Sequence, residues 1–191
     1  MPPFLSSGQT IALFGGSFDP PHAGHRLVAE GALSTLGVDY IWWMVSPQNP
    51  LKPNTASELE TRLTATRALA EHGQFHVDAV EAELGTQYAI DTVRALKTRY
   101  PDVRFIWLLG ADNLRQLHQW KDWQNLMAEI PVAVYPRGTD LQAALEAPAA
   151  LAFLDAQLPS AEASQLKDKP APAWVLLQGE LSPLSSTELR R

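Results

Sequence analysis

Two histidines, His22 and His25, stand three residues apart at the end of the string Gly15-Gly16-Ser17-Phe18-Asp19-Pro20-Pro21-His22-Ala23-Gly24-His25. Imidazole rings donate hydrogen bonds to phosphate oxygens, as neutral tautomers or as cations. Gly15 and Gly16 let the backbone come close to a ligand, and Ser17 adds a hydroxyl donor. Two nearby histidines alone are more often surface groups around a turn. Here the string follows the apolar run Thr10–Phe14, which reads as a buried strand, and leads into His25–Leu36. In that stretch Val28, Ala32, Leu33 and Leu36 recur at helical spacing before a stop at Gly37. The free N–H groups and positive dipole end of such a helix favour an anion. In an open α/β sheet, this kind of junction lies in the crevice where nucleotides bind. The whole string therefore reads as a polyphosphate cradle.

Further candidates follow. Ser46–Pro53 holds three prolines in eight positions, so it must be a loop; Lys52 there reads equally as a mobile cation for phosphates or as a solvated lysine. Thr86 reads as the N-cap of a helix that carries Ile90, Val93 and Leu96 on one face. That helix entry offers amides, beside Tyr88 and Ala89, to a second anion. Asp112 follows the apolar run Val103–Leu109, where a carboxylate suits ribose hydroxyls or a metal carried by a nucleotide, and equally suits a helix N-cap. Trp120 and Trp123 read as core, or one indole as a stacking surface for a flat heterocycle. Near the end, Leu184-Ser185-Ser186-Thr187-Glu188-Leu189-Arg190 joins an N-cap-like run of hydroxyls to a guanidinium suited to phosphate.

The elements that must position these groups alternate in type. Tyr40–Val45 is continuously apolar, as expected of a strand covered on both faces. Ser57-Glu58-Leu59-Glu60 is a capping box that opens a packing helix. Gln74–Val80, Val103–Leu109, Val132–Tyr135 and Trp174–Leu177 read as further strands, and His72 and His76 as surface residues. The expected fold is α/β, a Rossmann-like open, mostly parallel sheet with helices on both faces. One domain spans residues 1–191, with a less regular segment at about 141–172: a short helix Leu141–Glu146, a weaker second one and a mobile connection.

Bulk properties agree. With 191 residues and 46% hydrophobic content, the chain can bury one substantial core. The net charge of −6 argues against a general nucleic-acid-binding surface. The absence of cysteine excludes disulfides, thiolate metal sites and a cysteine nucleophile. Met1–Gln9 lacks the layout of a signal peptide, and no apolar run is long enough to span a bilayer. A soluble, cytoplasmic protein is expected.

The string G-G-[ST]-F-D-P followed by H-x-G-H resembles the nucleotidyltransferase superfamily, which moves a nucleoside monophosphate from ATP or CTP onto a phosphate. Ser185-Ser186-Thr187 with Arg190 resembles its closing motif I-S-S-T-x-x-R, with Leu184 in place of isoleucine. Within it, the Pro47–Lys52 loop, Thr86–Thr92, Gly110-Ala111-Asp112 and Trp120 resemble the bacterial nicotinate-nucleotide adenylyltransferase family. Two positions depart from that family: Ala89 stands where threonine is common, and Lys121 where an aromatic often follows the tryptophan. The resemblance implies that His22 and His25 are catalytic, and that Gly15, Gly16, Ser17, Phe18, Ser185, Ser186, Thr187 and Arg190 join them in binding ATP. It implies that Asn49, Lys52, Tyr88, Ala89, Asp112 and Trp120 face the mononucleotide.

The implied reaction joins Mg²⁺-ATP and nicotinate mononucleotide into the dinucleotide and pyrophosphate. The metal arrives with ATP rather than in a protein cage. The alternatives are nicotinamide mononucleotide or phosphopantetheine as acceptor, or a nucleotide-sensing module without turnover. ATP and the mononucleotide are the expected partners, neither nucleic acid nor membrane is expected, and homo-oligomerisation stays open.

Overall fold

The computed structural model describes residues 5–47, 58–137 and 141–180. Seven strands form one sheet in the order β3-β2-β1-β4-β5-β7-β6. These are β1 (Thr10–Gly16), β2 (Tyr40–Val45), β3 (Phe75–Asp78), β4 (Arg104–Gly110), β5 (Val132–Tyr135), β6 (Gln157–Leu158) and β7 (Trp174–Leu176). Every pairing is parallel. Chain order reverses direction beside β1: β2 and β3 extend the sheet to one side, β4 and β5 to the other. That is the switch point of a Rossmann-like fold.

Alternation along each strand divides the core in two. Ile11, Leu13, Trp42, Met44, Phe105, Trp107 and Leu109 pack on one face. They meet α4 (Ala89–Arg99) through Ile90, Val93 and Leu96, α5 (Ala111–Gln116) through Leu114, and α6 (Trp123–Glu129) through Leu126 and Met127. Ala12, Phe14, Ile41, Trp43, Val45, Ile106 and Leu108 face the other way. There they meet α1 (Ala23–Leu36) through Val28, Ala29, Ala32 and Leu36, and α2 (Leu59–Leu69) through Leu63. Burial on both faces is why these strands read as unbroken apolar runs. Gly37, at φ 63° in the left-handed region, stops α1.

Three local details differ from expectation. The third strand ends at Asp78, because its Oδ1 accepts the Val80 N–H at 3.0 Å and opens a short helix, α3 (Val80–Leu84). Tyr88, not Thr86, is the N-cap of α4; the Thr86 hydroxyl bonds the Thr92 hydroxyl at 2.8 Å. In residues 141–172 the two expected short helices are present as α7 (Leu141–Leu145) and α8 (Pro148–Ala152), but the expected connection holds the added strand β6 and a 3₁₀ stretch at Ser160–Asp168. Their alanines make this possible: Ala144, Ala149, Ala150 and Ala163 are buried where larger side chains would hold the helices off the core. Ser57 of the capping box lies outside the described residues, and α2 begins at Leu59 after Glu58.

Helix α1 approaches β5 closely at Gly31, where an added Cβ would overlap the ring of Tyr135. Gly31→Ala should therefore destabilise the fold by about 1–3 kcal/mol, the usual cost of overpacking, despite alanine's better helix propensity. Urea unfolding checks this, and a variant as stable as the wild type would contradict the close approach.

Candidate active site

His22 is the N-cap of α1, in extended conformation, and its backbone N–H donates to His25 Nδ1 at 3.2 Å. In return the His25 N–H donates to the His22 carbonyl at 2.8 Å. Because Nδ1 of His25 accepts, a neutral His25 carries its proton on Nε2, which is then a donor. The two rings lie 3.8 Å apart between centroids, and both residues are buried. Neither ring nitrogen of His22 has a hydrogen-bond partner among the described residues. Burial pushes the His22 pKa down from 6.5 to about 4; the positive charge of Arg137 adds to this, and Asp112 opposes it. The ligand-free ring is thus neutral at pH 7.

The turn before α1 is tightly determined. Phe18 sits at φ 45°, a left-handed conformation that costs a residue with a side chain about 1–2 kcal/mol. Its ring is held edge-on to Phe14 and His25 and tilted against Trp43, with centroids 5.0–5.4 Å away. A Cβ on Gly16 would come within 3.1 Å of that ring, so the second glycine of the motif makes room for its own phenylalanine. Gly15, Gly16 and Ser17 remain partly exposed at the end of β1.

Asp112 lies in the first turn of α5, just past β4, and its Oδ2 accepts a hydrogen bond from Arg137 Nη2 at 2.7 Å. Its other oxygen is buried with no hydrogen-bond partner among the described residues. The N-cap of α5 is Gly110, so Asp112 does not serve as the cap. Arg137 was not expected in the site. The signal was there to read: an arginine just beyond the buried run Val132–Tyr135 ends at the same sheet edge as the first motif.

The second group of candidates lies on the α4 side of the sheet. Tyr88 and Ala89 open the helix, both partly buried, and Lys121 Nζ lies 4.5 Å over the Tyr88 ring while pairing with Asp91 at 3.1 Å. Trp120 is partly buried, edge-on to Trp107 with centroids 6.4 Å apart. Trp123 is also only partly buried and meets Phe153. Beneath the helix start, the Thr92 hydroxyl contacts Glu81 Oε1 at 3.4 Å and the Tyr88 carbonyl at 3.2 Å. Burial raises the Glu81 pKa from 4.5 to about 7, against the Thr92 contact, which lowers it. Sequence reading passed over Glu81, as it did Arg62 on α2, whose guanidinium is buried against the end of β2.

The chain matches the cytidylyltransferase-like family model over residues 13–191. Over 188 residues it is 45% identical to the "Probable nicotinate-nucleotide adenylyltransferase" of Ruegeria pomeroyi, covering 98% of this chain and 88% of that relative. The chain belongs to the nicotinate-nucleotide adenylyltransferase family. A relative of the same printed name in Cereibacter sphaeroides is 46% identical over 183 residues, covering 95% of this chain and 96% of its own. Among solved structures, Plasmodium falciparum nicotinic acid mononucleotide adenylyltransferase complexed with NaAD superposes with a TM-score of 0.68. That match covers 95% of this chain and 82% of that one at 19% identity, a likeness of fold.

Within this adenylyltransferase family fold, the first motif, Asp112 and Arg137 meet around the ends of β1, β4 and β5. Tyr88 and Ala89 stand at the start of α4, and Trp120 packs against the same face of the core. Asn49, Lys52, Ser185, Ser186, Thr187 and Arg190 lie outside the described residues.

His22 and Glu81 couple folding to pH with opposite signs. His22 titrates at about 4 when folded and at 6.5 otherwise, so its contribution is present above 6.5 and is lost as pH falls towards 4. Glu81 titrates at about 7 rather than 4.5, so its contribution is full below 4.5 and is lost as pH rises through 7. Glu81→Gln removes only the second dependence. The unfolding free energy of the variant minus that of the wild type should rise from pH 4.5 to 7, and a flat difference in urea titrations would contradict the raised Glu81 pKa.

Proposed function

We propose that this protein transfers the adenylyl group of ATP to nicotinate mononucleotide, giving nicotinate adenine dinucleotide and pyrophosphate in NAD biosynthesis. The observation that carries the reading is the convergence of His22, His25, Asp112 and Arg137 at the switch point of the sheet, in a chain with relatives of that printed name. Mg²⁺-ATP is the substrate complex, and the setting is cytoplasmic.

The attacking group is the phosphate of the mononucleotide. With a second pKa near 6, such a phosphate is largely dianionic at pH 7 and needs no general base. Its oxygen forms a bond to the α-phosphorus of ATP as the bond from that phosphorus to the bridging oxygen breaks. The electron pair leaves with pyrophosphate. What the protein must overcome is the repulsion of two polyanions and the loss of freedom in aligning them.

The geometry of the described residues supports the roles of several of the candidate groups. His25, with Nδ1 engaged by the His22 N–H, presents Nε2–H as a donor to phosphate oxygen. His22, whose ring nitrogens have no hydrogen-bond partner among the described residues, stays neutral in the free site; an arriving polyphosphate supplies an acceptor and favours proton uptake by the ring. Arg137 offers the remaining fork of its guanidinium to anionic oxygens while Asp112 holds the other side. Gly15, Gly16, Ser17 and Phe18 bring backbone and hydroxyl donors to the phosphates. Ser185, Ser186, Thr187 and Arg190 belong to the ATP side of the reading, and Asn49 and Lys52 to the mononucleotide side. Tyr88, Ala89 and Trp120 hold the nicotinate moiety, where a flat ring finds an indole and a helix N-terminus for its carboxylate.

Pyrophosphate release from Mg²⁺-ATP should be supported by nicotinate mononucleotide in preference to nicotinamide mononucleotide or phosphopantetheine, each supplied separately. Preference for another acceptor would move the second site; no release with any of them would overturn the reading. His25→Ala should lower kcat by about 10²-fold, the size seen when one transition-state donor is removed. A folded variant with near-wild-type kcat would exclude that role for His25.

A further inference from the structure

Arg62 is the buried arginine of α2, 2% exposed, and it is turned towards the motif rather than towards solvent. Its Nη1 donates to the carbonyls of Ser17 at 2.8 Å and of Ser46 at 2.7 Å, and its Nη2 to the carbonyl of Pro47 at 2.9 Å. Ser46 is itself tied to the motif, since its N–H donates to the Gly16 carbonyl at 2.9 Å. One guanidinium therefore fixes the backbone just beyond both β1 and β2. Burial lowers the Arg62 pKa and the nearby Asp19 carboxylate raises it.

We propose that Arg62 is a positioning residue for adenylyl transfer, aiming the Ser17–Phe18 peptide so that the Phe18 N–H faces the ATP phosphates. The peptide is trans, so its N–H points opposite to its carbonyl. Holding the Ser17 carbonyl on the guanidinium turns the Phe18 N–H away from α2. Phe18 is left-handed at φ 45°, a conformation that persists only where its surroundings over-determine it. Ring packing fixes the Phe18 side chain, and Arg62 fixes the peptide in front of it. A planar fork with fixed N–H directions can serve three carbonyls at once; the single ammonium of lysine cannot reproduce that spacing. The inference rests on the assignment of the Gly15–His25 motif to the ATP phosphates.

Arg62→Lys keeps the charge and removes the fork. The expected result is a cooperative melt close to that of the wild type, with kcat at saturating nicotinate mononucleotide lowered at least about tenfold and KM for ATP changed less. A purely structural arginine would shift the melt and leave kcat, measured well below it, unchanged. Values of kcat within twofold of the wild type would overturn the proposal. Amide spectra of the isotope-labelled wild-type protein, titrated with inorganic pyrophosphate, read the same contact without any acceptor nucleotide and cover the case in which Arg62→Lys does not fold. The Phe18 amide should move with those of the glycines and histidines of the motif. A motif that responds while Phe18 does not would overturn the role of Arg62. A motif in which no amide responds would instead remove the phosphate assignment on which it rests.

Discussion

All seven strands run parallel, so their carboxyl ends lie along one edge, and each strand must hand its chain to a loop or helix there. Polar groups that would be costly inside the sheet are delivered to this edge by the geometry of the fold. The Gly15–His25 motif leaves β1, Asp112 leaves β4 and Arg137 leaves β5. Residues more than a hundred positions apart thereby come within electrostatic reach of one another, and the helix that begins at Ala23 brings its first N–H groups to the same edge.

That edge sets the positive charge of Arg137 near His22 in a protein whose net charge is −6. Arg137 is paired, yet its charge still reaches His22, and burial keeps that imidazole neutral until something offsets the cost of charging it. Two nitrogens of His22 and one oxygen of Asp112 are buried with no hydrogen-bond partner among the described residues, each a loss of stability. The left-handed Phe18 is another. Such costs gathered at one edge of an otherwise well-packed core are the mark of a site shaped for a ligand. The network from Glu81 through Thr92 to Tyr88 does the corresponding work beneath α4, where a buried carboxyl and two threonines order the helix start.

The first motif, the strand runs and the stop at Gly37 were legible because each is local: glycines, apolar runs and helical spacing act over a few residues. In residues 141–172 the two short helices were legible as well, but β6 and the 3₁₀ stretch after them were not, since such short pieces carry little periodic signal and are stabilised by what they pack against. Arg62 and Arg137 were missed for a different reason. A lone arginine in a sequence looks like a solvated side chain: the strand end before Arg137 shows which edge it reaches but not that it pairs with Asp112, and nothing nearby in the chain reveals that Arg62 faces the carbonyls of Ser17, Ser46 and Pro47.

What the sequence by itself determined is the parallel α/β plan, the strand-to-helix turn at residues 15–25 and the chemistry that turn can offer a polyphosphate. The tertiary structure alone decided which charges meet it. Pairing of β1 with β2 and β4 sets Arg62 and Asp112 beside one motif, and pairing of β4 with β5 adds Arg137. The pKa values of His22 and Glu81 were likewise invisible in the chain, because they arise from burial and from neighbours that only the fold brings into range.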